Sequence, residues 1–330
     1  MKQNYYIMRN GCLKRKDNTI YFIDSNDKKR PIPVENIDSI FAFGELELNN
    51  KLLVFLSQNH IPLHIFNYYG FYSGTFHPRE FLNSGFLLVK QVNHYTNSEK
   101  RIIIAKEFVK SASENILKNL KYYENREKPL SKEIERIEFE LNTVDSAPGV
   151  EELMGVEGRI RKIYYQSFNK ILSPEYEFKK RVRRPPDNMI NCLISFGNSM
   201  IYSTVLSEIY RTQLNPTISY LHEPGERRFS LSLDISEVFK PVIVDRIIFK
   251  LLNKRILKEK DFSKKLNYCY LNESGKRNFL KEYDQKMKNT IKHKKLKRKV
   301  SYRRLIRLEN YKLIKHLLGE RKYEGFRMWW

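Results

Sequence analysis

The sequence is short of cysteine, of negative charge and of familiar enzyme signatures. Its three cysteines, Cys12, Cys192 and Cys269, are spread over 330 residues. They are too few and too far apart in sequence for a disulfide scaffold or a Cys-x-x-Cys metal site. No apolar run approaches the roughly 18 residues that a membrane-spanning helix needs. The opening Met1-Lys2-Gln3-Asn4-Tyr5-Tyr6 has no apolar segment or small-residue cleavage site, so it does not read as a secretory signal. These absences predict a soluble, reduced, cytoplasmic protein with no membrane partner.

The phosphate-cradling G-x-x-x-x-G-K-[ST] loop is missing. Around Ser274-Gly275-Lys276, Tyr270 stands where the first glycine belongs and Arg277 where Ser or Thr belongs. There is no G-x-G-x-x-G and no G-x-S-x-G. His222-Glu223 has Glu226 in place of the second histidine of H-E-x-x-H. Nucleotide hydrolysis, dinucleotide binding, zinc proteolysis and esterase chemistry lose most of their support.

What the chain has is positive charge and a hydrophobic core. Hydrophobic residues make up 41%, which excludes a wholly disordered chain, and the formal net charge is +23. Such an excess destabilises a compact state by self-repulsion, so its usual reason is a polyanionic partner, nucleic acid first. The charge is uneven. Residues 1–90 hold 11 Lys and Arg against 8 Asp and Glu, leaving 50 against 30 for the rest, so the two parts carry +3 and +20.

The local pattern changes at the same place. Strands are predicted over 19–23, 37–43, 62–66 and 71–76, rich in β-branched and aromatic residues, with one short helix over 49–60. Beyond about Gln91 the periodicity is helical: 102–120, a charged helix or helical loop over 122–144, and an amphipathic helix over 151–172. A nearly all-apolar helix follows over 188–212, and another over 232–253 that Pro241 can kink. The expected fold is α+β. A small N-terminal β-rich domain, residues 1–88, precedes a larger all-helical C-terminal domain, residues 89–330. A basic run, Lys179-Lys180-Arg181-Val182-Arg183-Arg184, ends in two prolines. Residues 286–307 hold 11 basic residues and no acidic one.

Within the basic domain a carboxylate and histidine set stands out. Glu157 lies between Gly155 and Gly158 on the amphipathic helix, where each glycine costs about 1 kcal/mol against alanine. Close approach of a backbone or ligand would explain them. Glu157 shares a face with Ile160, Arg161 and Tyr164, and an ordinary i,i+4 ion pair with Arg161 is the plainer reading. His222 sits in a turn-rich loop, where it is either a satisfied structural histidine or an acid–base or ligand group. Asp234 and Glu237 fall at i,i+3 on one helix face, where they also suit the helix dipole. Two carboxylates and one imidazole are a ligand type for Mg²⁺ or Mn²⁺. Acids inside a basic domain suit metal-assisted phosphate-ester chemistry.

Four runs together resemble a known family: Glu152 to Gly158, Asn191 to Tyr202, Tyr220-Leu221-His222-Glu223, and Ser232 to Pro241. With Pro33 to Ile37 and Gly70 to Gly74, they are similar in order and spacing to the CRISPR-associated adaptation integrases, the first protein of the Cas series. The resemblance implies a metal-dependent DNA endonuclease and integrase, with Mg²⁺ or Mn²⁺ held by Glu157, His222 and Glu237. Many members carry Asp at the last position. Asp234 matches a supporting acid. The resemblance further implies a homodimer joined through the β-rich domain, a second small Cas protein as partner, and in some cases an accessory Cas nuclease. Lys179, Lys180, Arg181, Arg183, Arg184, Arg227 and Arg228 are the expected DNA-backbone contacts. The alternative is a non-catalytic basic nucleic-acid-binding scaffold, which would have no use for acids facing phosphate.

Overall fold

In a computed structural model, the structure describes every residue except Met1, Phe81, Arg184, Arg227, Arg228, Leu266, Asn267 and Trp330, and the side chain of Lys265. The chain begins with β1 (Gln3–Ile7), β2 (Gly11–Lys16), β3 (Thr19–Asp24), β4 (Lys29–Pro33), β5 (Ile37–Ala42) and β6 (Leu46–Leu48). These lead to helix α1 (Asn50–Gln58), then β7 (Leu63–Phe66) and β8 (Tyr72–Phe76). They form two four-stranded sheets, ordered β1-β5-β7-β8 and β4-β3-β2-β6. In the first, β1, β5 and β7 are parallel and β8 closes the edge antiparallel to β7. In the second, β2, β3 and β4 form an antiparallel meander and β6 runs parallel to β2.

Alternation places the core. Ile20 and Phe22 on β3 point inward with Leu13, Ile37, Ile40 and Leu63, and Leu52 and Leu56 of α1 cover them. Asn49 starts α1 by accepting a hydrogen bond from the Leu52 amide at 2.9 Å. All four predicted strands are present, as β3, β5, β7 and β8. Strands β1, β2, β4 and β6 were not expected. The β2 segment Gly-Cys-Leu-Lys-Arg-Lys and the β4 segment Lys-Arg-Pro-Ile-Pro each bury a single residue, so neither carries an alternating apolar signal.

The rest is mainly helical: α2 (Gly85–Thr96), α3 (Ser98–Glu124), α4 (Ser131–Thr143), α5 (Val150–Ile171), α6 (Met189–Tyr210), α7 (Ser230–Phe239), α8 (Arg246–Asn253), α9 (Glu273–Lys288) and α10 (Tyr302–Leu317). Two short hairpins interrupt what the sequence suggested was purely helical. They are β9 (Phe262–Lys265) with β10 (Tyr268–Leu271), and β11 (Thr290–Lys292) with β12 (Lys299–Ser301). The kink at Pro241 takes the form of a π-helical turn, Pro241–Asp245, between α7 and α8. Such widened turns accommodate a proline that cannot donate its share of the ladder.

Helix α6 is the centre of this region, packed against α7, α10 and β10. By length and composition it meets the requirement for a membrane span, contrary to the reading of apolar runs above, yet 78% of its most apolar window is buried inside the fold. The 286–307 stretch is likewise not a free basic tail. Its Arg303 and Arg307 close over Glu208 of α6, at 2.7 and 2.6 Å, and Arg303 also reaches Asp38. The two regions meet again at His64 on β7, fully buried between Thr75 Oγ1 at 2.7 Å and Ser207 Oγ of α6 at 2.6 Å.

Candidate active site

The site is built on α5, α7 and the loop between α6 and α7. Leu153, Val156, Ile160, Ile163, Tyr164 and Phe168 bury one face of α5. That face carries Arg161 inward with it, although Arg161 is charged. The Arg161 guanidinium finds two acids: Nε donates to Glu157 Oε1 at 3.0 Å, and Nη2 donates to Glu237 Oε2 on α7. The second oxygen of Glu237 accepts from Lys240 Nζ, one turn further on. Glu157 and Glu237, 80 positions apart in sequence, are thus joined through one arginine. The plain i,i+4 pair with Arg161 is present for Glu157.

His222 is fixed by its own loop. Tyr220 and Leu221 are buried anchors, and Asp234, fully buried on α7, gathers the segment around its carboxylate. Asp234 Oδ2 accepts from the Tyr220 and Leu221 amides at 2.7 and 3.0 Å. Asp234 Oδ1 accepts from the His222 amide at 2.9 Å and stands 2.8 Å from His222 Nδ1. With Nδ1 held there, Nε2 is the imidazole nitrogen left to face outward. Carboxylate-held histidines of this kind are oriented in advance for a ligand or proton.

The electrostatics link the groups. Burial works to lower the His222 pKa, but the hydrogen bond and charge of Asp234, with a further contribution from Glu237, raise it above the usual imidazole value. Burial would raise the Glu237 pKa, and Lys240 and Arg161 hold it well below the usual carboxylate range. Behind them Asp245, in the π-helical turn, is pushed up to about 7 by burial, against the pull of Arg161. Asp245 Oδ2 and Arg161 Nη1 are buried without hydrogen-bond partners. Two orphaned atoms beside an ion cluster mark a place where polar demand exceeds supply.

The donor types fit a divalent cation: two carboxylates and an imidazole whose other nitrogen is already engaged. The side chains of Glu157 and His222 keep 19% and 20% of their surface exposed, so the site opens to solvent on that side. As they stand, no three His, Cys, Asp or Glu among the described residues surround one point as a ready ligand set. Arg161 and Lys240 instead neutralise Glu237, and binding a cation there requires them to yield. Gly155 and Gly158 are not pressed by a backbone. A side chain at 158 would project into open space, and one at 155 would meet only the tip of Arg159 at 3.4 Å.

Of the basic residues, Lys179, Lys180 and Arg183 are exposed. Arg181 turns inward, donating to Asn191 Oδ1 at 3.0 Å and Ser195 Oγ at 2.9 Å, so it braces α6. Arg184, Arg227 and Arg228 lie outside the described residues. The sequence reading missed the bridging role of Arg161 and the parts played by Lys240 and Asp245. Lys240 was within reach of the i,i+3 rule from Glu237. Asp245 was not, because the π-helical turn shifts its face relative to α7.

This order of sheets and helices belongs to one family of CRISPR-associated endonucleases. The model of the family described as CRISPR associated protein Cas1 matches residues 5–285, and the chain is a member of it. It is 56% identical to a CRISPR-associated endonuclease Cas1 of Fusobacterium nucleatum, over the whole of this chain and 98% of that one. A solved Cas1 protein from Thermotoga maritima superimposes with a TM-score of 0.88 at 44% identity, covering 98% of this chain and all of that one. At 21% and 18% identity the fold recurs in a casposase bound to integration product and in a Cas6-RT-Cas1–Cas2 complex, with TM-scores of 0.87 and 0.86. These cover 97% and 99% of this chain, and 92% and 36% of theirs.

Proposed function

We propose that this chain cuts and joins DNA in CRISPR adaptation, inserting short foreign DNA into the repeat array. A 3′-hydroxyl oxygen of the incoming DNA attacks a phosphorus of the target strand. The new P–O bond forms as the target's P–O3′ bond breaks, and the displaced 3′ oxygen takes up a proton. With water as nucleophile the same displacement is hydrolysis. Glu157, His222 and Glu237 would hold Mg²⁺ or Mn²⁺, which when bound supplies charge neutralisation at the phosphate. Where His222 does not ligate the cation it could instead carry a proton at Nε2, since Asp234 fixes the ring and raises its pKa above the usual imidazole value. Lys179, Lys180 and Arg183 would hold phosphates and set position without reading sequence.

One observation supports the reading: in a +20 region, Arg161 links Glu157 to Glu237, and the charge of Glu237 reaches His222, itself held by Asp234. The casposase, bound to integration product, shares the fold. A homodimer joined through the nearly neutral β-rich domain, residues 1–88, belongs to the same proposal, because two copies of the basic part repel. So does a second small Cas protein, of the kind present in the Cas1–Cas2 complex. The test is transfer of a 3′-hydroxyl oligonucleotide into repeat DNA with Mn²⁺ or Mg²⁺. Activity in the wild type and none with EDTA is expected. Wild-type activity in EDTA, or full activity of Glu157→Ala, would leave a basic nucleic-acid scaffold as the better account.

A further inference from the structure

Away from the acids lies a second built feature. A cavity of about 200 Å³ opens where the β7–β8 turn, helix α6 and the β9–β10 hairpin meet. Its walls are rings. Tyr268 and Tyr270 stand on the same face of β10, with centroids 6.2 Å apart. Tyr69 meets them edge-on at 5.8 and 5.5 Å, and Phe196 of α6 lines the interior. The walls are fixed in place. Asn67 Oδ1 accepts from the Tyr69 and Phe71 amides at 3.1 and 3.0 Å. Gly70, at φ +84°, lies so close to Phe196 that a Cβ there would meet its ring at 2.6 Å. The hairpin is pinned to the proline pair by a Cys269 amide to Pro186 carbonyl bond of 2.7 Å.

The size and surroundings select an occupant. An apolar cavity of about 150 Å³ takes one benzene, so this one suits a single larger ring and excludes a base pair. Pro185 and Pro186 line it, and they follow closely in sequence on the run that holds exposed Lys179, Lys180 and Arg183. A ligand with an anionic backbone and flat apolar rings matches that order, charge first and aromatic pocket second. Arg181, which braces Ser195 on the cavity wall, also lies within electrostatic reach of Tyr165, as do Arg161 and Glu237.

We propose that this cavity receives one unstacked nucleobase of a DNA strand whose phosphates follow Lys179 to Arg183, the base stacking on Tyr268 with Tyr69 against its edge. The inference rests on the DNA-joining reading and adds a base-holding site to it. Stacking on an aromatic side chain contributes about 1–3 kcal/mol per base.

The full-length protein is titrated into two duplexes of one sequence, one fully paired and one carrying a single extrahelical 2-aminopurine. Anisotropy gives the affinities, and 2-aminopurine emission reports stacking. The bulged duplex should bind roughly five- to a hundredfold more tightly, with its emission quenched on binding. Tyr268→Ala should bring its affinity down to that of the paired duplex and restore the emission. Tyr69→Ala, at the exposed ring edge-on to Tyr268, should do the same in part. Equal affinities with unquenched emission in the wild type would overturn the proposal without any variant. So would quenching that survives both substitutions, as it would if the pocket holds a side chain of a second protein instead. Failure to bind either duplex would remove the DNA reading and the pocket together. Binding and quenching without strand transfer would keep the pocket and remove only the joining reaction.

Discussion

The strand-rich region buries a neutral imidazole, His64, between two hydroxyls, whereas the helical region buries whole ion clusters. The contrast follows from charge. In the region near +3, hydroxyls suffice for the interior imidazole: Thr75 of its own and Ser207 from α6. A region near +20 needs interior acids to offset its own cations. Two of these clusters, among the described residues, differ. Glu208 is fully buried, and Arg303 and Arg307 take its two oxygens at 2.7 and 2.6 Å with Arg211 alongside at 3.4 Å. The cluster of Arg161, Glu157 and Glu237 keeps Arg161 Nη1 orphaned and one side open, with Asp245 Oδ2 orphaned behind it. A saturated cluster holds the fold, and an unsaturated one at the surface is fit to exchange partners.

The comparison breaks first at the open cluster. Glu157→Ala and Glu237→Ala should each abolish metal-dependent strand transfer while raising DNA affinity slightly, because a carboxylate without its cation repels phosphate. Glu237→Asp should retain activity. Gel assays of transfer beside binding titrations check all three. The closed cluster should respond in stability instead. Glu208→Ala removes the buried acid shared by three half-buried guanidinium groups, of which Arg211 and Arg303 keep Asp38 as their remaining acid, and should lower unfolding free energy by about 3–5 kcal/mol, read as a lower urea midpoint. Equal loss of stability in Glu157→Ala would erase the distinction.

Smaller effects sharpen it. Asp234→Ala should reduce transfer by about 10–100-fold, the usual loss when a ligand's orienting partner is removed. Burial holds the His64 pKa down to about 3, from an ordinary value of 6.5. Between those two values the unfolded chain binds a proton that the folded chain excludes. Stability should therefore fall as pH drops from about 6.5 towards 3, by up to about 1.4 kcal/mol per pH unit from this group. His64→Gln should flatten that slope in urea midpoints taken at pH 7, 5 and 4. Replacing Lys179, Lys180 and Arg183 by Ala should reduce the slope of log K against log salt by about 0.9 for each phosphate no longer neutralised.

The helices of the site were legible because α5 and α7 bury stripes at steps of three and four, and because Asp234 and Glu237 interrupt one of them. The grouping of Glu157, His222 and Glu237 came from resemblance, since periodicity says nothing of residues brought together across 80 positions. The aromatic cavity was not visible at all. It needs Tyr69 from the strand-rich region beside Tyr268 and Tyr270 from a hairpin whose strands are only four residues long. Cys192 and Cys269, distant in sequence, line that same cavity.

The closure of α10 over Glu208 has a consequence in time. Arg303 follows Glu208 by 95 residues. At roughly 5–20 residues per second, a ribosome needs about 5–20 s to deliver it. Through that interval the nascent chain holds an acid whose final partners, apart from Arg211, have yet to be made. Helix α6 must stay unsealed until the later arginines emerge, so its long apolar surface stands open to chaperones during synthesis.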